Sequence, residues 1–255
     1  MQKLKDRLID WGLTGGTLAL IVFLYIPILT LALFSFSASR ALTFPLEGVT
    51  LNWYAQLMQN ESFFRALRAS LIVALCTMVL ATILGAGCAL AWMRLKFPFK
   101  RALQILGFLP VLFPQLLLGV MMLLWFSVMR DFIEVQMGIL TLIIGHVIYV
   151  TPFVLVVVAV QVYGFDEFIE DAARDAGASE WQVLTRITLP MLSPAIIAGM
   201  ILAFLLSWGN FYLSYSLNGS VQTLPIFIFS GIAVGSSPIY PAIAALNSLA
   251  ALALV

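Results

Sequence analysis

The residues whose types and spacing suggest a task lie in one polar stretch, Asp171-Ala172-Ala173-Arg174-Asp175-Ala176-Gly177-Ala178-Ser179, closed by Ile187-Thr188-Leu189-Pro190. The task is docking, not bond-making. Asp166, Glu167, Glu170 and Asp171 cluster where acids suit the positive end of a helix dipole, which predicts a short helix over about 166–175. Gly177 stands where a left-handed C-terminal cap takes a glycine. Ser179-Glu180-Trp181-Gln182 reads as a capping box, with Ser at the N-cap and Gln at N3. A second short helix is expected from Glu180 to about Thr188, stopping ahead of Pro190, because a residue before proline avoids the helical region. The alanines and glycine leave one surface low enough for another protein's backbone to approach. By spacing alone, a polar helical hairpin between two spans is more often a solvated loop than a docking element.

Nothing else in the chain forms a reactive constellation. There is no Gly-x-x-x-x-Gly-Lys-[Ser/Thr] loop to cradle phosphates, no nucleophile–base set and no metal-ligand cluster, so the chain reads as non-catalytic and without a cofactor of its own. The lone His146 is expected to be packed or hydrogen-bonded in a helix bundle. Cys76 and Cys88, twelve positions apart in one expected helix, are too distant for a disulfide and read as packing residues.

The elements that carry this stretch follow from composition. Apolar residues make up 62% of the chain and charged residues 10%, against roughly a quarter charged in a soluble domain. A globule of this size keeps a large polar surface, so the solvent for the excess is lipid. Six long apolar stretches occur at about 11–36, 68–93, 102–129, 138–163, 194–217 and 238–255. A helix of ~20 residues crosses a ~30 Å hydrocarbon core, and the first five stretches meet that length. The last is still apolar at Val255, so the sixth helix is expected to be cut short. Pro110 and Pro114 should bend the third span. The N-terminal run is too long for a signal-peptide core and lacks a small-residue cleavage site, so it reads as the first span. The expected fold class is an all-α membrane protein with six transmembrane helices. With no linker, low-complexity segment or internal repeat, residues 1–255 read as a single transmembrane domain.

Charge orients the spans. With the N-terminus inside, the inner segments hold Lys3, Lys5, Arg7, Arg94, Lys96, Lys100, Arg101, Arg174 and Arg186, and the outer ones hold Arg40, Arg65, Arg68 and Arg130. This bias places the loop of about 164–191 in the cytoplasm and a loop of about 37–65, with an amphipathic interfacial piece, outside.

The polar stretch resembles the cytoplasmic loop signature of permease subunits in binding-protein-dependent ABC importers. In that signature Glu-Ala-Ala is followed by Gly and then by Ile-x-Leu-Pro. Here Asp171-Ala172-Ala173 stands for the triplet, Gly177 for the glycine, and Ile187, Leu189 and Pro190 for the close. Asp replaces Glu, a shorter acid of the same charge, and Glu170 just before it can share the role. Asn52-Trp53-Tyr54, Tyr25-Ile26-Pro27 and Gly177-Ala178-Ser179 resemble the second permease of spermidine/putrescine-type importers, and the likeness runs from about 15 to 250.

The resemblance implies a type I ABC importer permease fold in the bacterial cytoplasmic membrane. It implies that Glu170, Asp171, Ala172, Ala173, Gly177, Ala178, Ser179, Ile187, Leu189 and Pro190 couple to a cytoplasmic ATPase. The partners implied are a second homologous permease, two ATPase subunits and an extracytoplasmic solute-binding protein, with ATP and Mg held by the ATPases. A polyamine is the solute it implies. Permeases of that type tend to carry paired acids in the fifth span, whereas this chain has Ser207-Trp208-Gly209-Asn210-Phe211-Tyr212. Intramembrane ionisable groups are costly and usually functional, so their absence keeps a neutral, zwitterionic or anionic solute open. Asn210, Trp208 and Tyr212, with Gln115 and Asn247, are candidates for the substrate path; Asn210 bridging two helices and Trp208 packing on a neighbour is the alternative. An ion-coupled carrier, the rival class, needs acids or histidines deep in the membrane; every Asp and Glu here falls in a loop or terminus, which leaves His146 as its one titratable candidate.

Overall fold

A computed structural model describes the backbone of residues 2–235 and 237–252, and the side chains of these except 2–10, 93, 131, 133, 251 and 252. The side chains of Lys3, Lys5 and Arg7 and the end of the expected sixth helix, 253–255, lie outside the described residues. Among the described residues the chain is helical, with one isolated antiparallel bridge, Ser37 to Val49, and no strand. In order the helices are α1 (Gln2–Phe34), α2 (Asn52–Met58), α3 (Glu61–Arg94), α4 (Lys100–Leu112), α5 (Gln115–Ile133), α6 (Ile139–Tyr163), α7 (Phe168–Asp175) and α8 (Glu180–Val183). A π-helical turn (Leu184–Thr188) leads into α9 (Leu189–Trp208), followed by α10 (Tyr212–Leu217), α11 (Leu224–Val234) and α12 (Ile239–Leu252).

Among the described residues, four helices are long and apolar enough to cross a membrane: Trp11–Phe34, Glu61–Trp92, Ile139–Tyr163 and Glu180–Trp208. A fifth span exists if α4 and α5 count as one, but they meet at 108°. The sequence led us to expect a bent third span; the structure breaks it. Phe113, which precedes Pro114, is extended at φ −87° and ψ 138°, so the helix ends there and restarts at Gln115. The expected fifth span, 194–217, is also revised. The helix begins much earlier, at Glu180, and stops at Trp208; Gly209, Asn210 and Phe211 separate it from the short α10. The 238–255 stretch forms a shorter apolar helix over the residues described.

The chain forms two compact units, residues 1–61 with 228–255, and residues 62–227. In the first, α1 and α2 both pack on α12. The loop before α2 is stapled by aromatic groups: the Trp53 indole donates to the Ser37 carbonyl at 2.7 Å, and the Tyr54 and Ser35 hydroxyls are hydrogen-bonded at 2.7 Å. Trp53 and Leu57, one turn apart, are the buried face of α2. The Trp11–Phe34 span has no buried residue in its most apolar window, so beyond its contact with α12 it leaves wide apolar faces for lipid or partner surfaces.

The second unit is organised around α6, which packs along α9. Lipid offers no hydrophobic force between helices, so close van der Waals approach must hold them. Small residues make that approach possible. A Cβ on Gly85 of α3 would sit 2.9 Å from the Val154 Cβ, and one on Gly199 of α9 would sit 3.0 Å from Val154 Cγ1. Val154 of α6 is thereby clasped from both sides, inside a core that includes Ala81, Val150, Val158, Leu192 and Ala203.

Candidate functional site: the 164–191 loop and its anchor

The loop folds locally much as its residue types dictate. Asp166 Oδ1 accepts the Phe168 backbone N–H at 3.0 Å and starts α7. The helix ends in a Schellman turn: Ala178 N–H donates to the Ala173 carbonyl at 3.0 Å, Gly177 N–H to the Arg174 carbonyl at 2.9 Å, and Gly177 takes φ +88°. The capping box forms with both bonds, Ser179 N–H to Gln182 Oε1 at 2.8 Å and Gln182 N–H to Ser179 Oγ at 3.3 Å. Arg174 spans the turn, with Nη1 donating to Asp171 Oδ1 and Nε to Glu180 Oε1, both at 2.8 Å. Its hydrogen bond to Glu180 raises the guanidinium pKa, and the same bond lowers that of the Glu180 carboxyl.

The expectation that the second short helix stops ahead of Pro190 is overturned. It continues without a break through the π turn into α9, where Pro190 lies in the first turn. Proline lacks an N–H and its ring crowds the carbonyl four residues back, here that of Arg186. Widening the preceding turn accommodates both effects, which is how a π-bulge tolerates what an α-helix does not. The loop is therefore joined to a membrane span by continuous helix.

Glu170 and Asp171 have different surroundings. Asp171 is exposed and pairs with Arg174. Glu170 is 3% exposed; its Oε2 pairs with Arg94 at the end of α3, its Oε1 accepts the Thr188 hydroxyl, and Arg174 lies 3.6 Å away. Burial works to raise the Glu170 pKa, but hydrogen bonds from Arg94 and Thr188 and the charges of Arg94 and Arg174 outweigh it and hold the carboxyl below its ordinary value. The Arg94 guanidinium also sits over the Phe165 ring, 4.8 Å from its centroid. Of the remaining loop residues singled out in the sequence, Ala172, Leu189 and Pro190 are exposed and Ala173, Ala178 and Ile187 half-buried. Sequence reasoning missed Phe168 and Trp181, which are 79% and 71% exposed on α7 and α8. Large aromatics within an otherwise polar segment were the available signal. It also missed Arg94, for which spacing offered none.

The substrate-path candidates are distributed over several elements. Gln115 opens α5 just after the break, half-buried. Trp208 stacks on Phe204, with centroids 5.6 Å apart and rings at 15°. Asn210 is buried and its Oδ1 accepts the Leu213 N–H at 3.1 Å, capping α10, while its Nδ2 is buried without a hydrogen-bond partner among the described residues. Tyr212 is half-exposed, and Asn247 belongs to the other unit. His146 is buried and bonded on both nitrogens, to Ser207 Oγ at 2.8 Å and Ser214 Oγ at 3.2 Å, pinning α6 to α9 and α10 on either side of the 209–211 break.

Residues 81–255 match the family described as binding-protein-dependent transport system inner membrane component. The spermidine/putrescine transport system permease protein PotC of Escherichia coli K12 is 34% identical over 95% of this chain and 91% of its own length. The putrescine transport system permease protein PotI of the same strain is 34% identical over 88% of this chain and 81% of its own. Among solved structures, a bacterial ABC transporter involved in the import of the acidic polysaccharide alginate aligns over 100% of this chain and 96% of that one, with a TM-score of 0.72 at 18% identity. The MetNI methionine ABC transporter aligns over 81% of this chain and 94% of that one, with a TM-score of 0.62 at 13% identity. With its apolar spans and permease fold, this multi-pass membrane protein belongs to the family of inner membrane components of binding-protein-dependent transport systems, the permease subunits of ABC importers.

Proposed function

We propose that this chain forms half of the translocation path of an ATP-driven importer and receives the work of a cytoplasmic ATPase through the 166–190 loop. The observation that carries this reading is the exposure of Phe168 and Trp181, one on each short helix flanking the low Ala172–Gly177 turn, on a hairpin that runs by continuous helix into a membrane span. Exposed aromatics on a polar hairpin are anchors of the kind that fill a partner's pocket. Continuous helix then carries the displacement onward. On this reading the N-terminus and the loop are cytoplasmic, and 1–255 acts as one permease domain of six spans, with α4–α5 and α12 among them. The chain pairs with a second homologous permease, two ATPase subunits that hold ATP and Mg, and an extracytoplasmic solute-binding protein; catalysis of ATP hydrolysis belongs to the ATPases.

Polyamines are the solutes named for the two 34%-identical relatives, and they are the first reading here. A second reading has a specific observation in its favour. Gly209 and Asn210 stand where paired acids would meet a polycation, and no Asp or Glu lies within the apolar core of a span. A neutral, zwitterionic or anionic small solute suits that lining better, with Gln115, Trp208, Asn210, Tyr212 and Asn247 as candidate contacts.

The test is purification of the tagged chain from native membranes in mild detergent, followed by identification of what accompanies it. Recovery of an ATPase and a second permease is expected, and stimulation of that ATPase by candidate binding proteins with and without spermidine then sorts the solute class. A chain that purifies alone, with uptake insensitive to ATP depletion and abolished by dissipating ion gradients, overturns the reading in favour of an ion-coupled carrier.

A further inference from the structure

We propose that Arg94, the last residue of α3, is a positioning residue of the coupling machinery: its ion pair with Glu170 makes α3 move with the loop, so that the loop's displacement reaches two spans instead of one. This rests on the coupling reading above and deepens it.

The loop and α9 are one continuous helical path from Glu180 to Trp208. No such continuity links the loop to α3, which ends at Arg94. The junction is a single buried carboxylate. One Glu170 oxygen binds the Arg94 guanidinium and the other binds the Thr188 hydroxyl in the π turn, so α3 and the root of α9 are held through opposite edges of one group. Arg94 is braced in turn by the Phe165 ring, in the connector that leaves α6. Three spans therefore converge where the loop meets the membrane.

Among the described residues, a gap lies beside this tie. Beside the pair lies a cavity of about 590 Å³, lined by Gly87, Ala91 and Leu95 of α3 and its exit and by Val183 and Leu184 of the loop. Side chains that filled it would transmit force by contact. With this space open, the loop has room to move toward α3 there without pushing it, and the ion pair bridges the two beside the gap. A buried pair suits that role because removing one partner leaves an uncompensated charge, which makes separation costly.

The test measures relative motion and needs no knowledge of the solute. Nitroxide labels are placed through Lys96→Cys and Arg186→Cys, both exposed, in the assembled complex with Cys76 and Cys88 replaced by alanine. Distance distributions are recorded without nucleotide and with ATP plus vanadate. With Arg94 intact, the 96–186 distance is expected to hold when nucleotide is added. In Arg94→Gln it is expected to shift by more than about 2 Å, the scale of helix displacements in switching proteins. Glu170→Gln should give the same shift, and the double variant no more than either single one, the signature of one shared interaction. Arg94→Lys, which keeps the charge, should restore most of the fixed distance. If the ATPase is bound and the glutamine variants track the unsubstituted protein, the inference falls while the coupling reading stands. If no ATPase binds the complex, both fall together.

Discussion

Replacing Gly177 first with alanine and then with arginine separates the turn's backbone requirement from what lies beyond it. Gly177 holds φ +88°, and a Cβ there would meet nothing within 4 Å. Within this chain the only penalty is therefore the left-handed backbone, about 1–2 kcal/mol for a residue with a Cβ. At RT of about 0.59 kcal/mol that lowers the population of the formed turn roughly 5- to 30-fold relative to competing conformations. The hairpin retains its other restraints, the capping box and the Arg174 bridges, so Gly177→Ala should still assemble and pump at reduced rate. Gly177→Asn, which tolerates this region better, should fall between alanine and glycine. Arginine carries the same backbone cost and finds open space in this chain, so any further loss must come from a partner surface. The expected series in proteoliposomes is graded uptake for Asn and Ala. For Arg, ATP hydrolysis is expected to be separated from uptake, or the ATPase lost from the complex. If Gly177→Arg matched Gly177→Ala in uptake per ATP, the surface would not be the docking face.

Further outcomes follow from the packing and the electrostatics. Gly85→Val drives a Cβ to within 2.9 Å of the Val154 Cβ and 3.0 Å of the Leu155 backbone nitrogen and should destabilise the chain by about 1–3 kcal/mol, read as a lower melting temperature in detergent that Val154→Ala, which keeps the Cβ, does not restore. Ser179→Ala removes the Gln182 N–H acceptor and should cost about 0.5–2 kcal/mol locally, visible as faster amide hydrogen exchange in 180–183 with the spans unchanged. Glu170 has its folded pKa held below the ordinary value, so its stabilising contribution is full above the unfolded carboxyl pKa of about 4.3 and is lost as pH falls through the lower folded value. Melting profiles recorded downward from pH 7 should therefore lose stability only below that range, and Glu170→Gln should flatten that acid limb; an unchanged limb would show that other carboxyls set it.

Which features could be read in advance depends on how far their causes extend along the chain. The Schellman turn at Gly177 and the capping box at Ser179 formed where expected, because each is closed by groups within five residues. The helix end ahead of Pro190 did not form. Propensity near a proline describes an isolated helix, and here a π turn absorbed the missing donor while α9 packed against α6. The third span was expected to bend and instead turned through 108°, since proline spacing marks where a helix breaks and only its packing sets the angle.

The sequence by itself determined that this is a multi-span membrane protein and that residues 166–190 form a capped hairpin. Hydropathy and capping are properties of neighbouring residues, and they survive whatever the rest of the chain does. Only the tertiary structure decided which of two adjacent acids faces inward. Glu170 and Asp171 carry the same charge on the same helix, and nothing in their spacing separates them. The difference comes from Arg94 and Thr188, brought from two other elements to one carboxylate. Likewise His146 became a pin because Ser207 and Ser214 arrive on either side of it. A buried polar group takes its role from its partners, and folding across long sequence separations is what supplies them.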